Sequence, residues 1–201
     1  MNNILYKYHN NLYVNLTNRC PCACTFCLRN DRDKMGDSDS LWLEREPTVA
    51  EVIDGFSVHD MNSYDELVFC GFGEPTERID AIVQIAKYVK SHFSLPTRLN
   101  TNGLGNLING RDIVPELKDV LDTVSISLNT PDKEDYLAIV RPCFGEESFD
   151  AMLSFAAECA KVIPHVVMST VDTTLTHEQE ARCAEICASL GVKYRIREFG
   201  T

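Results

Sequence analysis

The sequence predicts an α/β fold, namely a partial, open parallel (β/α)6 barrel. Apolar segments of strand length alternate with segments that carry apolar residues at helical spacing, and this alternation implies parallel strands joined by right-handed crossovers. A complete eight-unit barrel takes about 250 residues, or about 31 per unit. The 201 residues of this chain therefore provide room for about six units.

Six segments are predicted to form the parallel strands. The first runs directly into a cysteine-rich loop, and glycine or polar residues follow the second, third and fourth. In such folds the loops after the strands build the active face, so we expect these motifs to lie together. The predicted strands are residues 12–17, 66–70, 97–101, 123–127, 165–170 and 192–197.

The helices between these strands are predicted from capping residues and apolar spacing. Thr48 with Glu51, and Thr176 with Gln179, have the spacing of a capping box. Pro131 would occupy the favoured first position of a further helix, and the last helix would end at Gly191. The remaining predicted helices cover residues 79–88, 114–121 and 148–161.

The composition is that of an ordinary globular protein. Hydrophobic residues make up 44% and charged residues 24% of the chain, which is typical of soluble domains. The net charge of −11 argues against non-specific binding to nucleic acid, because such binding depends on neutralising phosphates. No apolar run is long enough to span a membrane, and the first residues lack the pattern of a signal peptide. We therefore expect one cytoplasmic domain, with no membrane association and no direct nucleic-acid binding.

Three cysteines in one short loop are the strongest functional signal. Cys20, Cys24 and Cys27 form a C-x3-C-x2-C motif, and their thiolates would hold a four-iron cluster with one iron left open. An open iron can bind a small molecule, and Phe26 could pack on a flat ligand beside it. Cys22 adds a fourth thiol, so a closed zinc site in an interaction module and a purely electron-transferring cluster stand as alternatives. The odd count of nine cysteines disfavours a disulfide framework.

This motif, with an aromatic residue before its third cysteine, resembles the signature of the radical S-adenosylmethionine (SAM) superfamily. The resemblance implies that Cys20, Cys24 and Cys27 hold a [4Fe–4S] cluster whose open iron chelates SAM. It also implies an enzyme that takes an electron from a flavodoxin- or ferredoxin-type donor and cleaves SAM reductively. The resulting 5′-deoxyadenosyl radical would abstract hydrogen from an unidentified substrate. An activase of a protein radical enzyme and a deazaguanine-synthase-like enzyme are the alternatives within the superfamily.

A glycine-containing motif follows the second predicted strand. Read from the residues alone, the stretch from Cys70 to Thr76 is a turn that leads into a helix. It also resembles the superfamily's Gly-Gly-Glu motif, which binds the methionyl amine of SAM, although Phe72 separates the two glycines. The resemblance implies that SAM contacts Gly71, Gly73 and Glu74.

Polar residues close the third and fourth predicted strands. Ser125, Ser127 and Asn129 alternate along the fourth strand and so share one face, which is unusual in a buried strand unless they meet a ligand. The resemblance implies that residues here contact the carboxylate and ribose of SAM, and Asn102 after the third strand is a further candidate. The alternative is ordinary turn chemistry, since Asn-Gly and Asn-Thr-Pro form loops.

Three stretches narrow the resemblance to one subgroup. Residues 10–20, 41–48 and 194–200 look like the short TatD-associated radical SAM proteins, a group without an assigned reaction. The resemblance covers residues 14–199 and implies that residues 1–201 are a single radical SAM core domain, with no separate C-terminal auxiliary-cluster domain.

Several other residues carry weaker signals. Cys183 and Cys187 lie one helical turn apart and are predicted to pack in the core as small hydrophobes. Arg195 and Arg197 alternate on the last strand, facing either a substrate anion or solvent.

A basic cluster, made of Arg29, Arg32 and Lys34, follows the cysteine motif. It could steer an acidic electron donor to the loop. It could equally be a solvated segment whose charges are offset by neighbouring aspartates.

Overall fold

The protein, described here by a computed structural model over residues 2–198, contains one seven-stranded sheet whose strands are hydrogen-bonded in chain order. β1 pairs with β2 antiparallel, and β2 to β7 are all parallel. The two outer strands do not pair with each other, so the predicted open, partial α/β barrel is confirmed. The strands are β1 (Leu5–Tyr8), β2 (Asn11–Val14), β3 (Leu67–Phe69), β4 (Thr97–Thr101), β5 (Thr123–Ser127), β6 (His165–Val171) and β7 (Lys193–Arg197).

Within residues 2–198, seven α-helices connect the strands or flank them. The two predicted capping boxes are confirmed, because Thr48 and Thr176 each exchange hydrogen bonds with the residue three positions later. The helix expected to start at Pro131 begins at Lys133, because Asp132 has extended dihedrals and serves as its N-cap. The helices are α1 (Val49–Gly55), α2 (Ile79–His92), α3 (Gly105–Asn109), α4 (Val114–Leu117), α5 (Lys133–Val140), α6 (Glu147–Cys159) and α7 (His177–Ser189).

The N-terminal hairpin is the main departure from the sequence-based expectation. β1 was not predicted, and it adds an antiparallel strand to the six parallel ones. The predicted first strand, 12–17, is also too long at its C-terminal end. It stops at Val14, and the buried side chain of the next residue, Asn15, donates to the Leu41 carbonyl at 2.8 Å. The short helix α3 was likewise missed.

The apolar core lies between the sheet and the helices, while the inside of the barrel is lined by a mixture of polar and aromatic side chains. Leu12, Phe69 and Leu99 belong to the outward-facing set and are fully buried in the core. Their strand neighbours point the other way, and Tyr13 and Arg98 line a cavity enclosed by the sheet. Cys183 and Cys187 are buried in the core, as predicted. Over residues 2–198 no helix is long and apolar enough to cross a bilayer.

Candidate active site

The cysteine loop follows β2 and is fastened across the mouth of the barrel. Its backbone pairs with the segment that ends α5: the Ala23 amide donates to the Val140 carbonyl at 3.1 Å, and the Cys143 amide donates to the Pro21 carbonyl at 2.8 Å. A β-bridge between Cys22 and Pro142 lies between these bonds. The loop therefore has a defined shape that does not depend on a bound group.

The four thiols of this loop have different surroundings. Cys22 is buried, whereas Cys20, Cys24 and Cys27 are partly exposed. Hydrogen bonding with the Cys22 thiol lowers the pKa of Cys20 and of Cys24, and burial raises the pKa of Cys27. The Asn102 amide approaches the Cys22 sulfur at 3.6 Å. The three partly exposed cysteines are thus the ones reachable by a ligand.

The donor set fits an iron–sulfur cluster in its chemistry. In residues 2–198 no three His, Cys, Asp or Glu side chains converge on one point as the ligands of a single metal ion would. A four-iron cluster does not require the thiols to converge on one point, because each thiolate binds a separate iron. The buried Tyr136 hydroxyl lacks a hydrogen-bond partner within the described chain. Burial and the charges of nearby Cys22 and Cys24 raise its pKa, so the hydroxyl stays protonated and presents an O–H donor next to the thiols.

An ion-pair network holds the start of the loop, and it was not predicted from the sequence. Glu46 accepts from Arg19 at 2.7 Å, from Arg78 at 2.9 Å and from the Thr17 hydroxyl at 2.6 Å. Arg19 also pairs with Glu77 at 2.9 Å. The partners are far apart in sequence and have no motif spacing, so only the fold brings them together beside Cys20.

Gly73 packs directly against the base of the cysteine loop. A Cβ atom at this position would lie 2.3 Å from the Thr17 carbonyl oxygen and 2.6 Å from that of Arg19. The next amide, that of Glu74, donates to the Arg19 carbonyl at 2.8 Å. Gly71 has a similar constraint, because its Cβ would lie 2.1 Å from the Asn15 side-chain oxygen. Gly73 is therefore required for the glycine motif and the cysteine loop to dock, and Gly71 is required for the motif to pack on Asn15, which follows β2.

Replacing Gly73 with alanine is expected to separate these two loops. The contact is with backbone, which cannot move aside cheaply, so we expect a loss of about 3 kcal/mol in the free energy of unfolding, together with loss of bound iron after reconstitution. Urea unfolding and iron analysis measure the two effects. Gly110→Ala is the comparison variant, because it meets no atom within 4 Å and carries only the strain of a positive φ. The Gly110→Ala substitution should lower the free energy of unfolding by about 1–2 kcal/mol, and the variant should keep its iron. Retention of iron and stability by Gly73→Ala would contradict this docking role.

The Glu74 carboxylate is buried and organises the loops around it. Oε1 accepts from the Thr76 amide at 3.1 Å, the Thr76 hydroxyl at 2.8 Å and the Thr101 hydroxyl at 2.7 Å. Among residues 2–198, Oε2 accepts only from the Asn102 amide, at 2.7 Å. Burial raises the pKa of Glu74 and these hydrogen bonds oppose the rise. Because a carboxylate oxygen has about two acceptor sites, Oε2 keeps one for a ligand.

A cavity of about 560 Å³ brings most of the predicted site residues together. Two of them are not among its lining residues: Cys20, and Asn129, which has a left-handed backbone at φ 68° and a buried side-chain oxygen without a partner in the described chain. The predicted residues that line the cavity are Cys24, Phe26, Cys27, Gly71, Gly73, Glu74, Asn102, Ser125 and Ser127.

The far side of the same cavity contains residues that were not predicted to form a site. Tyr6, Tyr8 and Tyr13 come from the N-terminal hairpin, and Arg98 is the second residue of β4. The strict alternation of β4, once its register is known, is the signal that could have found Arg98.

Comparison with models of known protein families shows which family this fold and site belong to. The model of the Radical SAM superfamily matches residues 14–191. The chain belongs to the radical SAM superfamily. It is accordingly an enzyme of that superfamily, and membership implies SAM and an iron–sulfur cluster as its cofactors. This match does not resolve the subgroup that was predicted from residues 10–20, 41–48 and 194–200. Residues 199 and 200 lie outside the part of the chain that the structure describes.

Two curated proteins are similar in sequence to this radical SAM enzyme. The molybdenum cofactor biosynthesis protein moc-5 of Caenorhabditis elegans is 26% identical over 176 residues, which cover 87% of this chain and 26% of that protein. GTP 3′,8-cyclase of Corynebacterium glutamicum (strain R) is 29% identical over 202 residues, covering 93% of this chain and 48% of the cyclase. The chain thus spans about half or less of the length of these relatives.

Solved structures share the fold at low sequence identity. Streptococcus suis SuiB bound to its precursor peptide SuiA superposes with a TM-score of 0.70 at 16% identity, covering 97% of this chain and 40% of SuiB. Native anSMEcpe with bound AdoMet superposes with a TM-score of 0.61 at 17% identity, covering 93% of this chain and 50% of that one. These likenesses concern the fold.

Proposed function

We propose that Cys20, Cys24 and Cys27 hold a [4Fe–4S] cluster and that the cavity beside them binds SAM. When bound, the cluster supplies the electron that cleaves SAM to a 5′-deoxyadenosyl radical, which abstracts hydrogen from a substrate still to be identified. The observation that carries the proposal is the docking of two motifs: the glycine motif packs on the cysteine loop through Gly73, and both line one cavity.

The protein's own residues would bind and orient SAM in that cavity. The remaining acceptor site on Glu74 Oε2 suits the SAM ammonium group, because a charge-assisted hydrogen bond is stronger than a neutral one. Phe26 offers a flat apolar surface beside the loop. Asn102, Ser125 and Ser127 offer polar groups at the cavity wall for the carboxylate and ribose. Asn129 is kept in this set because its buried oxygen lacks a partner within residues 2–198.

The finer family assignment is also part of the proposal. We propose that the chain is a TatD-associated radical SAM protein and that its 201 residues act as one core domain. An activase or a deazaguanine-synthase-like reaction remains the alternative within the superfamily. A zinc-binding module and an electron-transfer module are the alternatives of other classes.

Anaerobic reconstitution with iron and sulfide, followed by reduction with dithionite in the presence of SAM, tests the proposal. We expect a brown protein that forms 5′-deoxyadenosine. Binding of zinc without iron would establish the structural-site alternative. An iron–sulfur cluster that accepts electrons without any 5′-deoxyadenosine would establish the electron-transfer alternative.

We further propose that a low-potential flavodoxin- or ferredoxin-type donor docks near the segment after the cysteine loop. Arg29, one of the three basic residues predicted to form this surface, is instead turned inward. Its guanidinium donates to the Asn18 and Cys22 carbonyls, both at 3.4 Å. Arg32 and Lys34 are exposed and form the remaining docking surface.

Reversing this docking surface is expected to slow reduction by a protein donor. The double variant Arg32→Glu/Lys34→Glu should accept electrons from flavodoxin about tenfold more slowly at low salt, because attractive charges raise encounter rates. Dithionite-driven SAM cleavage should be unchanged. The difference should shrink with added salt, since exposed charges are screened within about 10 Å at 0.1 M ionic strength.

The matched control is Lys118→Glu/Lys161→Glu. Both lysines are exposed, and they precede β5 and β6, so they lie at the opposite end of the barrel. An equal slowing in the control would mean that total charge, and not this surface, governs the encounter. Equal rates for the wild type and the Arg32/Lys34 variant would reject the docking site.

A further inference from the structure

The cavity concentrates positive charge in an otherwise acidic protein. The chain has 19 basic against 30 acidic residues, yet within the described part of the chain the cavity is lined by four arginines and a single acidic residue, Glu74. The arginines are Arg29, Arg98, Arg195 and Arg197. Such an inversion of charge inside a cleft favours an anionic occupant.

These arginines fall into two groups at different places in the cavity. Arg29 is next to the cysteine loop, where its charge acts on the thiols of Cys20 and Cys24. Arg98 and Arg197 instead act on Cys70, the residue that follows β3. The Cys70 end of the cavity is therefore distinct from the end that faces the cysteine loop.

The guanidinium groups at the Cys70 end are not neutralised equally. Arg98 pairs with Glu66 at 3.2 Å through one terminal nitrogen, but its buried Nε lacks a partner within residues 2–198. Over the same residues, the Arg195 side chain makes no ion pair. Arg197 is partly buried, and both this burial and the adjacent Arg195 charge lower its pKa. An anion between Arg195 and Arg197 would relieve their mutual repulsion.

The opposite wall of this end is aromatic. Tyr6 and Tyr13 stack with ring centroids 5.0 Å apart, and Tyr8 meets Tyr13 edge to face at 5.9 Å. All three tyrosines line the cavity. A flat ring can pack on such a wall, because aromatic faces combine large apolar area with few degrees of freedom.

We propose that the Cys70 end of the cavity is the substrate site and that it takes an organic anion with a planar ring, whose phosphate or carboxylate binds Arg195 and Arg197 while the ring packs on Tyr13. The identification as the substrate site rests on the proposed function. The anion binding itself does not, because it requires no turnover.

Isothermal titration of the anaerobically reconstituted, SAM-loaded protein tests this proposal. The probes are GTP for a phosphate, 4-hydroxyphenylacetate for a carboxylate, and guanosine as a planar ligand without charge. We expect at least one anion to bind, and at least tenfold more tightly than guanosine. The anion that binds more tightly shows whether the site prefers a phosphate or a carboxylate. Failure of both anions to bind, or guanosine binding as tightly as GTP, would overturn the proposal.

Substitutions distinguish binding of the anion at specific side chains from a general effect of positive charge on this face of the sheet. Arg195→Gln should weaken binding of the preferred anion about tenfold. Lys193→Gln removes one charge from the same face of β7 outside the cavity lining and should change the affinity less than twofold. Tyr13→Phe should preserve binding, and Tyr13→Leu should weaken it. Equal losses in Arg195→Gln and Lys193→Gln would overturn the proposal.

Two further measurements keep this inference separate from the proposed function. SAM affinity should be unchanged in Arg195→Gln, and a parallel loss of SAM affinity would overturn the inference by assigning the arginines to SAM. If 5′-deoxyadenosine forms but no anion binds, the inference fails alone. If an anion binds but no 5′-deoxyadenosine forms, the proposed function and the identification as a substrate site fail together, while the anion-binding site stands.

Discussion

Replacing Cys20, Cys24 or Cys27 with alanine is expected to abolish the brown chromophore and the bound iron of the reconstituted protein. Each variant removes one of the three thiolates that would hold the cluster, and the two that remain cannot retain it. Because all three side chains are partly exposed, each substitution should leave the fold intact. Iron analysis and visible absorption measure the loss, and circular dichroism verifies the fold.

Cys22→Ala is the matched control in the same loop. The Cys22 side chain is buried and its sulfur is near the Asn102 amide, so we expect this variant to keep its iron. The substitution should lower the free energy of unfolding by about 1 kcal/mol, because it shortens a small buried side chain. Loss of iron in Cys22→Ala together with retention in Cys24→Ala would overturn the ligand assignment.

Replacing Glu74 with glutamine is expected to weaken SAM binding roughly 10- to 150-fold with the cluster retained. The loss corresponds to one charge-assisted hydrogen bond of about 1.5–3 kcal/mol, namely the bond from the SAM ammonium group to Oε2. Glutamine is preferable to alanine here, because alanine would also leave the buried Thr76 and Thr101 hydroxyls without their acceptor. Equilibrium binding of SAM to the reconstituted variant is the measurement.

The control for this experiment is Glu116→Gln. Glu116 pairs with Arg111 on the surface, away from the residues that line the cavity, so SAM affinity should not change. A Glu74→Gln protein that binds SAM like the wild type would limit Glu74 to organising the loops. Loss of iron in that variant would instead mean that the carboxylate supports the cysteine loop.

Local signals were sufficient to predict most of the fold. β4 and β5 have the predicted bounds, because each is a short alternating segment between clear turn residues. The two capping boxes identified α1 and α7 for the same reason: the interaction involves residues three apart. β1 escaped prediction because a four-residue strand with one buried residue is too short to show a clear alternation, and it depends on β2 for its place in the sheet.

The motifs of the candidate site were predicted from the sequence, but the side chains that hold those motifs in place were not. The cysteine and glycine motifs are contiguous in sequence and could be recognised there. The Glu46 network joins side chains that are separated by up to 58 positions. Arg98 lines the cavity because of the register of β4, whose residues alternate between the core and the cavity. Arg29 was assigned to an exposed surface because its sequence neighbours are charged. Two backbone carbonyls hold it inside instead.

The fastening of the cysteine loop to the end of α5 has a consequence for how the protein matures. Ala23 leaves the ribosome early, whereas its hydrogen-bond acceptor Val140 is synthesised more than 100 residues later. Long-range contacts of this kind form late, because the intervening chain must first be ordered. The cysteines would therefore stay in an unshaped segment during most of synthesis. We expect cluster delivery to be a step that follows the folding of residues 139–143, with a nascent chain that ends before them unable to retain iron.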